Sequence, residues 1–262
     1  MPDSQAPQQA VVLQIEHGDV RELRLNRPPA NALSPDLISA LTRSLKAAQQ
    51  DGVLALVLSG KPGMFSAGLD IPLLLTLNRS DMAALWRVFY ELLRALAVSP
   101  LPIVAAITGH APAGGTVLAI FCDWRIAAEG NWKIGLNEVQ VGLQLPPVIY
   151  LALRRLVGVR QAERLGVRGL LLSPAEAAAA GLVDEVVPAE QVVTGAITWC
   201  REMLSLPRGS MSITRQQARS DLAALFERDL KDELEMVIAN WCDQETQSVL
   251  RLVVERLAKK KT

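Results

Sequence analysis

Two stretches place small residues where the backbone rather than a side chain could do chemistry: Phe65-Ser-Ala-Gly-Leu-Asp70 and Gly109-His-Ala-Pro-Ala-Gly-Gly115. Each follows a short apolar run, and small residues let a ligand approach the main chain closely. Gly- and Ala-rich turns from strand to helix expose N–H groups, and two such turns side by side would form an oxyanion hole suited to an enolate. Side chains offer less. Ser66 lacks the GxSxG elbow, His17 and His110 are the only histidines, and there is neither an HExxH helix nor a Cys/His cluster. Neither stretch matches GxxxxGK[ST] or GxGxxG, so nucleotide-cofactor chemistry loses its main support.

The elements that must hold these stretches are legible in outline. Val11 to Leu25 contains two β-rich runs around His17-Gly18-Asp19 and predicts a hairpin. Ser34-Pro35-Asp36 supplies an N-cap and first turn for a helix in which Leu37, Leu41 and Leu45 share a face. Leu54 to Ser59 and Ile103 to Ile107 are almost wholly apolar, as strands buried on both faces are. A helix of about 18 residues is expected from Asp81 between them. Repeated buried strands with intervening helices argue for parallel, right-handed ββα or βαβ crossovers and an α/β class.

Further on, Ser173-Pro174-Ala175-Glu176 is a capping box and Leu182 to Val187 a short strand. Beyond Pro188 the pattern is mostly helical. Leu222 to Leu257 has helical apolar spacing and ends in Lys259-Lys260-Lys261, charges that suit a helix C-terminus. The expected division is a core of residues 1–199 and a helical appendage of residues 200–262.

Half of the 262 residues are apolar, enough for a substantial core. Basic and acidic residues number 27 each, so no net field favours nucleic acid or anionic lipid. No apolar stretch approaches the roughly 18 residues of a membrane-spanning helix. Cys122, Cys200 and Cys242 lack CxxC spacing and read as reduced thiols. Met1 to Ala10 is polar, without the features of a signal peptide, so a cytoplasmic protein is expected. The five tryptophans, including Trp86, Trp132 and Trp199, are expected in the core.

Asn26-Arg27-Pro28, Phe65-Ser-Ala-Gly-Leu-Asp70, Ala113-Gly114-Gly115 and Cys122-Asp123 occur in an order and spacing that resembles the crotonase (enoyl-CoA hydratase/isomerase) superfamily, across roughly residues 11 to 190. The resemblance implies a crotonase fold of repeated ββα units with a C-terminal helical appendage. It also implies an acyl-CoA thioester substrate whose carbonyl oxygen is held by the amides of Leu69 and Gly114. Coenzyme A contacts are implied around Arg27 and Ala30 and around Ser66, Ala67 and Gly68, with Asp70 and Gly115 shaping the two loops. Trimers, or hexamers built from them through the appendage, are implied as well.

Reactions within this superfamily differ in where the carboxylates sit. Hydratases carry one glutamate shortly after the Gly-Gly turn, where this chain has Val117. The second position matches Glu138 in Ile134-Gly-Leu-Asn-Glu-Val-Gln-Val-Gly142, a stretch that resembles the mitochondrial-type Δ3,Δ2-enoyl-CoA isomerases. One carboxylate suffices to move a proton from C2 to C4, and no cofactor or metal is then required. Apolar neighbours Leu136, Val139, Val141 and Leu143 predict a raised carboxyl pKa. His110 and Asp123 receive structural readings, as a loop hydrogen-bonder and a strand anchor. The alternatives are a hydratase or another crotonase-type acyl-CoA enzyme and, from a different class, a non-catalytic binding or scaffolding module.

Overall fold

The structure, a computed structural model, describes residues 10–259. It opens with the expected hairpin, β1 (Val12–His17) antiparallel to β2 (Val20–Leu25). Helix α1 (Pro35–Gln50) starts where Ser34 Oγ accepts the Leu37 N–H, and it buries Leu37, Leu41 and Leu45.

Three similar turns of chain follow. The first runs β3 (Ala55–Ser59), β4 (Gly63–Met64), α2 (Ile71–Leu74) and α3 (Arg79–Ala97). The second runs β5 (Ile103–Ile107), β6 (Gly109–Pro112) and α4 (Gly114–Ile120). The third runs β7 (Trp124–Ala128), β8 (Ile134–Gly135), a 3-10 turn at Glu138–Val141, α5 (Pro147–Val157), α6 (Val159–Arg168) and α7 (Pro174–Ala179). Strand β9 (Glu185–Val187) then closes a six-stranded sheet of order β1-β2-β3-β5-β7-β9, parallel beyond the hairpin. The second strand of each turn joins a small parallel sheet, β4-β6-β8. These are the repeated ββα units of the expected crotonase fold.

Alternation of side chains divides the large sheet's two faces. Leu23, Leu25, Leu56 and Leu58 join the main core with α1 and α3, while Val20, Ala55, Val57, Val104 and Ile126 face α8 (Val192–Ser205). Helix α8 crosses the expected boundary at residue 200, and Cys200 is buried with Sγ 3.7 Å from the Leu56 carbonyl. This helix covers one face of the large sheet.

The remaining helices are α9 (Arg208–Ala218), α10 (Ser220–Ala224), α11 (Lys231–Cys242) and α12 (Gln244–Lys259). The continuous pattern from Leu222 is thus interrupted twice. Asp243 makes the second break with extended backbone, its carboxylate accepting the Glu245 and Thr246 N–H groups that open α12. Val237, Ile238, Trp241 and Leu250 are buried within the same chain. Asp123 anchors the region: it accepts two hydrogen bonds from Arg215 at 2.8 Å, pairs with Arg219 at 3.2 Å and accepts the Ile103 N–H at the start of β5.

Smaller differences have local causes. Helix α3 starts at Arg79, two residues before Asp81, because Asn78 caps it by accepting the Asp81 N–H. Leu182 and Val183 are buried but outside β9, since the Leu182 N–H bonds to Ala177 at the end of α7. Trp86 and Trp241 are core residues, whereas Trp132 and Trp199 are half-exposed. Lys260, Lys261 and residues 1–9 lie outside the described residues. Among those described, no helix is long and apolar enough to cross a membrane.

Candidate active site

The amides of the stretch Phe65 to Asp70 can be accounted for one by one. Phe65 and Ser66 donate to the His110 carbonyl, Ala67 to Ala30, Gly68 to Ser66 Oγ at 3.2 Å, and Asp70 to Leu33. The Leu33 N–H in turn donates to the Gly68 carbonyl. This parallel bridge uses the groups on either side of Leu69, so extended-chain alternation turns the Leu69 N–H away from Leu33. Among the described residues that N–H has no acceptor.

Across from it lies the start of α4. Ala113 has φ +48°, a conformation that costs a non-glycine residue about 1–3 kcal/mol. It is held by its N–H bond to the Gly135 carbonyl and by its own carbonyl, which accepts the Val117 N–H. The bend leaves the Gly114 N–H free at the head of the helix. A methyl on Gly114 would come within 2.9 Å of Gly68 Cα and 3.3 Å of Leu69 N, so the two unpartnered amides belong to backbones in direct contact. Amides arranged this way can stabilise a developing oxyanion.

Glu138 arrives from β8. Gly135 donates its N–H to Thr116 Oγ1 and accepts from Ala113, and a side chain there would collide with the Leu170 carbonyl. Three residues later, within about 10 Å of chain from Gly135, comes Glu138. Its Oε2 is buried and unpartnered among the described residues. Burial pushes the carboxyl up to about 7, partly opposed by its own backbone N–H. Val117 is buried in the first turn of α4 and supplies no second carboxylate.

A model of the family described as enoyl-CoA hydratase/isomerase matches residues 16–259. The chain belongs to that family. This crotonase-family enzyme is 34% identical over 247 residues to human "Enoyl-CoA delta isomerase 1, mitochondrial", covering 92% of this chain and 81% of that protein. It is 35% identical over 206 residues to "Probable enoyl-CoA hydratase echA17" of Mycobacterium avium (strain 104), covering 78% of each. Its fold superimposes on the crystal structure of human mitochondrial delta3-delta2-enoyl-CoA isomerase with a TM-score of 0.92 and 32% identity, over 97% of this chain and 100% of that one.

Other residues singled out in the crotonase-like motifs fall into two groups. Ser66, Gly68 and Gly115 are buried: Ser66 Oγ donates to the Asn31 carbonyl at 2.8 Å, and the glycines let the loops touch. Arg27, Ala30, Ala67 and Asp70 keep partial exposure at the rim. The Arg27 guanidinium lies 2.6 Å from the Asp70 carboxylate and donates to the Ala32 carbonyl, while Asp70 caps α2. His110 accepts the Lys133 N–H at 3.1 Å and packs edge-on against Trp132, a structural role like that of Asp123.

Asn31 escaped sequence reasoning. It is buried at φ +49°, accepts the Arg27 N–H, and donates from Nδ2 to the carbonyls of Met64 and Phe65. Asparagine tolerates this left-handed geometry better than most residues, which was the available signal.

Proposed function

We propose that this enzyme is a Δ3,Δ2-enoyl-CoA isomerase that uses Glu138 as its single base and acid. The observation that carries this reading is Glu138, in the turn that follows β8, whose Oε2 is the one buried carboxylate oxygen without a partner among the described residues and whose pKa is raised by burial. Glu138 takes the C2 proton of a 3-enoyl thioester, and the charge moves to the thioester oxygen, where the Leu69 and Gly114 N–H groups hold it as a dienolate. The neutral Glu138 carboxylic acid then returns the proton at C4. Protons and electrons balance within the substrate, so the step needs no cofactor.

Coverage supports the isomerase over the hydratase, since the likeness to the human isomerase extends over more of the chain than the likeness to the mycobacterial protein. Rim residues Arg27, Ala30 and Ala67 are our choice for coenzyme A contacts, with Ser66, Gly68, Asp70 and Gly115 fixing loop shape. Self-association, as trimer or hexamer, is assigned to the helices after Ser205, where Leu206, Ile213, Met236 and Leu252 are exposed. The free thiols of Cys122, Cys200 and Cys242 suit a reducing compartment, such as the cytoplasm.

The test is to incubate the enzyme and its Glu138→Gln variant with 3-hexenoyl-CoA and separate the products by chromatography. Conjugated 2-enoyl thioester, lost in the variant, is expected. Substantial 3-hydroxyacyl product would establish a hydratase instead, and no turnover would remove the isomerase reading.

A further inference from the structure

The chain's zero net charge conceals one sharply basic element. Residues 154–168 hold five arginines against a single acid, Glu163. Arg155 is spent on Asp221, but among the described residues Arg154, Arg160, Arg164 and Arg168 make no ion pair. Helix α6 buries Ala162, Leu165 and Gly166 and turns Arg160, Arg164 and Arg168 outward. These three are spaced four residues apart, about 6 Å per step along the axis, and form a ridge of the kind that packs into a groove of another helix. Beside the ridge, Val159 is 49% and Val167 73% exposed.

The geometry points to the exposed face of α6 as a docking surface for an acidic amphipathic helix of a partner protein. Glutamates at successive i, i+4 positions repeat at the same 6 Å as the arginines, and apolar residues beside them would cover Val159 and Val167. Glu163 falls between Val159 and Val167 in the row beside the arginines, four residues from each, and so keeps the partner's acids to the arginine row. Two valines are too few to insert into a bilayer, and the helix has no aromatic side chain on which bases could stack.

The seat also adjoins the active site. The Arg168 carbonyl accepts the Gln140 Nε2 hydrogen bond at 3.2 Å, and Gly169 packs on Asn137, Val139 and Gln140, so the ridge ends against the turn that begins with Glu138. This inference is independent of which reaction Glu138 catalyses.

The probe is a fluorescein-labelled helical peptide of about 20 residues, with glutamates at i, i+4 and i+8 flanked by leucines. The control peptide has the same composition with its acids scattered around the helix. Fluorescence anisotropy should show the patterned peptide binding at least about tenfold more tightly than the control, and more weakly as salt rises. Arg164→Glu should weaken binding about tenfold or more, and the triple charge reversal of Arg160, Arg164 and Arg168 should abolish it, with circular dichroism confirming the fold. Equal binding of both peptides, binding that survives the triple reversal, no binding of either, or retention only by phosphatidylserine vesicles or an oligonucleotide would each overturn the proposal.

Discussion

A Cβ placed on Gly115 would lie 2.4 Å from the Ser66 carbonyl oxygen, so the two loops that supply the free amides meet backbone to backbone. Neither partner is the end of a flexible side chain that could swing aside. Gly115→Ala must therefore push the loops apart by a good fraction of an ångström. We expect kcat to fall about a hundredfold, as when an oxyanion-hole donor is lost, with a stability loss of about 1–3 kcal/mol from overpacking. Steady-state kinetics beside a urea melt measures both, and a variant with unchanged kcat would mean that these amides do not act on the reacting oxygen.

Burial of Glu138 predicts a characteristic pH dependence. The base must be ionised, so kcat/KM should rise about tenfold per pH unit up to about 7 and level off above it. A profile already flat from pH 5 would contradict the raised pKa.

The same burial links Glu138 to stability with a definite sign. Because its folded pKa lies above the ordinary carboxylate value, the folded state binds the extra proton, and stability is lost as pH rises towards 7. Glu138→Gln removes that penalty. The variant should be more stable than the parent by up to about 3 kcal/mol at pH 8 and by little at pH 4, as denaturant melts at the two values would show.

Asn31→Ala should cost about 2–4 kcal/mol, since it strands the Arg27 amide and two loop carbonyls and removes the polar side chain that makes φ +49° tolerable. Asn31→Asp keeps the acceptor for Arg27 but loses the donor to Met64 and Phe65, so thermal melts should place it between the parent and the alanine variant.

Asp123→Asn leaves the Arg215 and Arg219 charges without their counter-ion. A loss of about 3–5 kcal/mol is expected in urea unfolding.

What could be read beforehand divides by range along the chain. Ser34 and Ser173 announce their helices because a cap and the N–H that donates to it lie within three residues, and both caps form as expected. The apolar runs at Ala55–Ser59 and Ile103–Ile107 declare buried strands by composition alone. Strands β4, β6 and β8 do not, because each is short and exists only through pairing with residues some distance away, as Gly63 pairs with Gly109. Gly109–Pro112 accordingly reads as loop. Around residue 200, similarly, an amphipathic pattern reveals a helix but not the sheet face beneath it. Glu138 stands out in the sequence through its motif, but the lack of a partner for its Oε2 among the described residues depends on packing.

Arg219 closes the far end of the site's scaffold. It donates to the Leu96 carbonyl at the end of α3 and to the Phe121 and Cys122 carbonyls just past α4, while its own segment belongs to the C-terminal helices. Neither helix end can fray without releasing a buried guanidinium. Amide protons near the ends of α3 and α4 and those around Arg219 should accordingly exchange with solvent as one cooperative unit, so that slow opening at the periphery and exposure of α4 become the same event.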